Sequence, residues 1–153
     1  MKRFVVGILI LALILAGCAP ANAPASIPPA SSETTLKVSG GSISKSYTSA
    51  DLQKLASAKA SFKDVEYVGV SLTDLLKDAG FDATQVKAVK AVAVDGFTVN
   101  YEPALFAKAD TLLAYARSDG AAMVADDGAF RMVLPGQEGK LNPRQVVEIQ
   151  VIQ

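Results

Sequence analysis

Val68-Gly69-Val70-Ser71-Leu72-Thr73-Asp74-Leu75-Leu76-Lys77-Asp78-Ala79-Gly80 reads as a strand that runs into a capped helix and stops. Leu72, Leu75, Leu76 and Ala79 recur at i, i+3, i+4 and i+7, the spacing of one helix face. Ser71 supplies the N-cap, Asp74 a short version of the capping-box acid, and Gly80 the left-handed residue that ends the helix. A strand through Tyr67 feeding a leucine-striped helix predicts that the leucines lie in a core against a sheet.

Strand signals dominate on both sides of this unit. Leu36 to Ser39 alternates apolar and polar, breaks at Gly40-Gly41, and alternates again from Ser42 to Tyr47, which predicts an opening hairpin. The glycine pair is read as a turn, since no helix start with a Lys-Ser or Lys-Thr follows to make a phosphate loop. Thr48 or Ser49 is placed to cap a short helix carrying Leu52 and Leu55, with Asp51 in its first turn. Downstream, Val86 to Val94 predicts a strand, Asp95-Gly96 a tight turn, and Phe97 to Tyr101 a returning strand with its aromatics on one face. Glu102 to Phe106 predicts a helical turn with proline at its start, and Thr111 to Ala116 a strand. Ala129 to Leu134 predicts a strand with Phe130, Met132 and Leu134 on one side and Arg131 and Val133 on the other; Val146 to Ile152 is the last. The fold class expected is α+β, a mixed and mostly β sheet domain with short helices.

The first 35 residues read differently. Lys2 and Arg3 precede an apolar stretch, Phe4 to Ala16, of 13 residues, which then reaches Leu15-Ala16-Gly17-Cys18. A bilayer span needs about 20 residues, so this stretch suits a processed signal. Residues 1–17 are expected to be a lipoprotein signal peptide, with Cys18 lipidated as the new N-terminus. A cleaved secretory peptide, or an anchor with an incidental thiol, is the alternative. Residues 18–35 carry Pro20, Pro24, Pro28 and Pro29 among Ala, Ser and Thr, a composition expected to act as a semi-extended linker of about 50 Å contour. Residues 36–153 form the expected domain, placed outside the cytoplasm at the cell envelope and held to a membrane by its lipid.

Composition narrows the chemistry of that domain. The chain has no histidine and one cysteine, so residues 36–153 hold neither imidazole nor thiol. Ser-His triads, cysteine nucleophiles and most zinc, copper and haem ligand sets are excluded there. Without Lys2 and Arg3, thirteen basic residues face fifteen acidic ones, with no basic block, and nucleic acid is not an expected partner. Tyr67, Tyr101 and Tyr115 could serve as acid or base, but each sits in or beside a predicted strand where a half-buried aromatic is expected. Asp126 and Asp127 are adjacent turn residues and make no glycosidase pair. An enzyme is not the reading favoured.

In order, Val68 to Gly80, Asp95-Gly96-Phe97, Leu112-Leu113-Ala114-Tyr115 and Asp127-Gly128-Ala129-Phe130-Arg131-Met132-Val133-Leu134-Pro135-Gly136 resemble the oxidoreductase molybdopterin-binding domain of the sulfite oxidase family. The resemblance implies that family's fold and a molybdenum bound by a pterin dithiolene and one protein cysteine. Residues 36–153 lack that cysteine. It also implies a cofactor face: Arg131 from the Gly-x-x-Arg strand, Gly136 and Gly139 whose N–H groups could approach an anion, and Lys140 and Arg144 as cationic donors. The alternative is that Arg131 pairs with Asp126 or Asp127 and that Lys140 and Arg144 are loop charges. Two functions stay open. One is a non-catalytic module that binds a small organic ligand or docks an envelope protein; the other is a molybdopterin cofactor-binding oxidoreductase component acting with a partner subunit.

Overall fold

The alternating segment at the start of the domain forms the predicted hairpin, β1 (Leu36–Gly40) and β2 (Ile43–Tyr47), with Leu36 opposite Tyr47 and Gly40 opposite Ile43. The turn is Gly41-Ser42, and Gly41 takes the positive φ of 54°. Gly40 belongs to the strand. A Cβ there would lie 2.5 Å from the carbonyl oxygen of Val151, so this glycine serves the close approach of a neighbouring strand. The computed structural model describes residues 34–153; the signal peptide, Cys18 and nearly all of the linker expected from the sequence lie outside the described residues.

Thr48 caps α1 (Ser49–Leu52) with a complete capping box: its side chain accepts from Asp51 N, and the Asp51 carboxylate accepts from Thr48 N at 3.1 Å. The chain then enters β3 (Ser57–Phe62) and β4 (Val65–Ser71), a hairpin of which the sequence reading saw only the second half. Lys63 and Asp64 form its two-residue turn at φ 49° and 63°. Such a turn normally advertises itself with Asn-Gly or Asp-Gly, and Lys-Asp carries no such signal. Gly69 sits at a bulge of β4, where a Cβ would meet the Leu113 carbonyl oxygen at 2.3 Å. Ser71 begins α2 (Leu72–Asp78), as the sequence predicts, with Leu72, Leu75 and Leu76 fully buried and Gly80 at φ 95°. One detail differs: the Asp74 carboxylate accepts from the Ser71 hydroxyl at 2.7 Å rather than from its backbone.

β5 (Ala88–Ala93) and β6 (Thr98–Tyr101) return through Asp95-Gly96, whose Asp95 carboxylate accepts from Phe97 N at 2.9 Å. Phe97 precedes the strand and is exposed while Tyr101 is buried, so the two aromatics do not share one packed face. α3 (Pro103–Phe106), β7 (Leu112–Arg117), β8 (Arg131–Val133) and β9 (Val146–Ile152) complete the order. Two sheets result. One runs β2-β1-β9-β5-β6, with β1 and β9 parallel and its other pairs antiparallel; the second runs β3-β4-β7-β8, antiparallel throughout. This is the mostly β, short-helix α+β architecture that the sequence predicts. The main core draws on both sheets and on α2, and includes Phe130, Met132 and Leu134. Val133 joins a smaller cluster with Ala60, Tyr67, Leu112 and Ala114 on the opposite side of β8. Arg131 faces that second side too.

Candidate functional site

Asn142 organises the loop that follows β8. Its side-chain oxygen accepts from Leu134 N at 2.6 Å, and its amide donates to the Glu138 carbonyl at 3.0 Å. A 3₁₀ turn at Gly139–Leu141, a hydrogen bond from Tyr101 Oη to the Leu141 carbonyl, and one from Met132 N to the Pro143 carbonyl pin the loop back along the sheet. Gly139 and Arg144 thereby arrive in one wall with Arg131. Sequence reasoning missed Asn142; the Asn142-Pro143 pair was the signal, because an Asn before proline favours a fixed turn.

Arg131 is 4% exposed and so is Asp127. Its Nη1 donates to Asp127 Oδ1 at 2.6 Å and to the Tyr67 hydroxyl oxygen at 2.9 Å, while the Tyr67 hydroxyl donates to Asp127 Oδ2 at 3.1 Å. The guanidinium carbon lies 4.8 Å from the Tyr67 ring centre and 5.3 Å from that of Phe62. Of the two aspartates that the sequence offered as partners, Asp127 is the one used. The pair is enclosed between β3, β4 and β8, not set on a solvated sheet face. Tyr67 was read as a half-buried strand aromatic; its hydroxyl closes the ring of hydrogen bonds.

Two adjoining hollows flank this cluster. The first, about 370 Å³, has Phe62, Lys63, Val65, Tyr67, Asp127 and Arg131 in its wall, and the second, about 330 Å³, has Ala93, Asp95, Phe97, Asp126 and Lys140. Gly139, Asn142 and Arg144 line both. Three of the five residues expected at a cofactor face, Arg131, Gly139 and Arg144, therefore share the first hollow, and Lys140 lines only the second. Gly136, at φ 71° in the turn after β8, lines neither hollow. The two exposed cations have partners as well: Lys140 Nζ lies 2.8 Å from Glu138 and Arg144 Nη1 3.3 Å from Asp126. Lys140 holds the Glu138 carboxyl below its ordinary value.

These side chains do not fit the molybdenum–pterin group that the sequence resemblance implies. No thiolate exists among the described residues, and no cluster of three or more Cys, Asp or Glu side chains there could hold a metal in its place. Arg131, Lys140 and Arg144 each carry a carboxylate partner, while Lys63 in the wall of the first hollow has no salt bridge among the described residues.

Titration of the domain should follow from its hydrogen bonds. Lys54 and Thr48 hold the Asp51 carboxyl at about 2, below the ordinary 3.8, and Lys45 and Tyr47 lower that of Asp78. A carboxyl with a depressed folded pKa contributes stability above its unfolded pKa and loses it as pH falls through the folded one. Burial, ahead of other causes, raises Tyr67 and Tyr101 above the ordinary 10.0, so their contribution holds below that value and fades as pH rises past it. With no histidine to titrate between, thermal midpoints should form a plateau from about pH 5 to about pH 9 and fall on both sides. A step between pH 6 and 8 would contradict this account.

Comparisons with known proteins give the fold its relatives. The chain superposes on the sulfane dehydrogenase SoxCD from Paracoccus pantotrophus with a TM-score of 0.62 at 21% identity, over 77% of this chain and 38% of that one. At that identity the likeness is one of fold, and the chain spans well under half the length of this solved relative. No curated protein matches the chain. A family model described as the oxidoreductase molybdopterin binding domain matches residues 25–153, most of the chain, and takes in more than half of the segment read as linker. Because that model spans residues 25–153, the chain belongs to the oxidoreductase molybdopterin binding domain family.

Proposed function

We propose that this protein is a membrane-tethered, extracytoplasmic member of the family that uses the domain without redox chemistry, as a module for binding a small organic ligand or docking an envelope partner. The observation that carries this reading is the donor set of the candidate face. Arg131, Lys140 and Arg144 are each paired with a carboxylate, and no side chain there can supply a metal with a thiolate. The tether rests on the sequence alone, on Cys18 behind Leu15-Ala16-Gly17. Multiple acyl chains on one residue would hold the domain firmly, each buried CH₂ adding about 0.8 kcal/mol.

Membership of the family favours one other reading, a pterin-binding oxidoreductase component completed by a partner subunit. Residues 18–153 carrying Cys18→Ser, secreted in a host that makes molybdenum cofactor, separate the two. Metal by mass spectrometry and released pterin fluorescence should both stay at background. Near-stoichiometric molybdenum or pterin would overturn the non-redox reading. In parallel, the full chain should incorporate labelled fatty acid and sediment with membranes, and the full-length Cys18→Ser chain should do neither. Equal labelling of both would remove the anchor from the proposal.

A further inference from the structure

Asp127 occupies one end of the Arg131 guanidinium. Its two carboxylate oxygens accept from Arg131 Nη1 and from the Tyr67 hydroxyl, and that hydroxyl accepts the second Nη1 hydrogen in turn. Arg131 Nε is turned to the Met132 carbonyl at 3.4 Å. Nη2 has no partner among the described residues. Since no buried side-chain nitrogen or oxygen there lacks one, Nη2 is the edge that reaches the first hollow. A phosphate approaching Arg131 would find one free edge of the guanidinium and a carboxylate already bound to the other, with Lys63 in the same wall as a cation that has no salt bridge among the described residues.

The backbone that carries this carboxylate is held on both sides. Asp127 N donates to the Val124 carbonyl and its own carbonyl accepts from Gln145 N, both at 2.8 Å. The next residue, Gly128, has φ 70°, and a Cβ on it would lie 3.0 Å from the Gln145 Cα. Gln145 itself sits at φ 51°. A turn closed this tightly, with Gly128 and the facing Gln145 both in the left-handed region, fixes the backbone of Asp127, and the hydrogen bonds from Arg131 and Tyr67 hold its carboxylate.

We infer that Asp127 determines the ligand selectivity of the first hollow: its carboxylate is a resident counter-anion that bars phosphate and diphosphate groups from Arg131. This deepens the non-redox reading and rests on it, because a phosphorylated pterin would be among the excluded ligands. Removing that charge while keeping the side chain's size should turn the hollow into an anion site.

The probe is inorganic pyrophosphate, added to the full chain in detergent at matched ionic strength, with the thermal midpoint as readout. A ligand that binds only the folded state raises that midpoint in proportion to its affinity. The wild-type chain and Tyr67→Phe, which keeps the ion pair, should not respond at 10 mM, an amount on the order of the weakest binding that the relation between affinity and free energy makes useful. Asp127→Asn should show a saturable rise with at least about tenfold tighter apparent binding, and Asp127→Asn with Arg131→Gln should lose it. If Asp127→Asn lowers the folded population, pyrophosphate should restore it by mass action; a variant that stays unfolded in pyrophosphate counts against the inference. A wild-type response equal to that of Asp127→Asn would overturn the inference and leave the non-redox reading to the molybdenum and pterin measurement. Silence from both chains would overturn the inference alone.

Discussion

Arg131→Ala is expected to destabilise the domain by about 3–5 kcal/mol, the cost of leaving one member of a buried ion pair without its partner. Arg131 and Asp127 are both 4% exposed, and the alanine variant would leave the Asp127 carboxylate with only the Tyr67 hydroxyl. The pair itself is a weaker asset than this loss suggests, since desolvating two charges offsets most of their attraction. Replacing both residues together, Arg131→Met with Asp127→Leu, should therefore recover most of the stability. Denaturation midpoints in urea at pH 7 provide the measurement. A single variant within about 1 kcal/mol of wild type would mean that water in the hollow solvates Asp127 as well as Arg131 does.

One residue away, Phe130→Ala should cost a similar amount, about 3–5 kcal/mol, for an unrelated reason. Phe130, just before β8, is fully buried in the main core, while the ion pair lies on the other side of the strand. Its removal leaves a void that the surrounding leucines and β-strands fill only in part. Phe130→Leu should regain roughly half of the loss, because the cavity shrinks with the added carbons. Double-mutant cycles between Phe130→Ala and Asp127→Leu should be close to additive, within about 0.5 kcal/mol, as expected of groups that share no partner. Strong coupling between them would show that the two sides of β8 are not mechanically separate.

The elements with local signals were legible before any coordinates. Ser71, the leucines at 72, 75 and 76, and Gly80 encode α2 within one stretch of chain, and Asp95-Gly96 encodes its turn with one carboxylate and one positive φ. Alternation along β8 was legible too, since side chains of adjacent strand residues point to opposite faces whatever lies there. The hairpin of β3 and β4 was half lost. Ser57 to Phe62 is small, polar and weakly apolar, and the left-handed conformations of Lys63 and Asp64 are imposed by the pairing of the strands around them, not by the residues themselves. Phe97 was misplaced because the turn consumes it before the strand begins.

For the candidate face, the sequence by itself determined which chemistry is available: one cysteine at position 18, no histidine, and three cations near two glycines after β8. It also narrowed the partner of Arg131 to two neighbouring aspartates. Only the tertiary structure decided between them. Asp127 meets Arg131 because the turn at Val124 to Gly128 is tied to Gln145, and Tyr67 completes the cluster from 60 residues away along the chain. Whether a cation is free to bind a ligand depends on what packs within a few ångströms of it, and that is set by sheet pairing and loop closure between segments distant in sequence, which no local pattern of residues encodes.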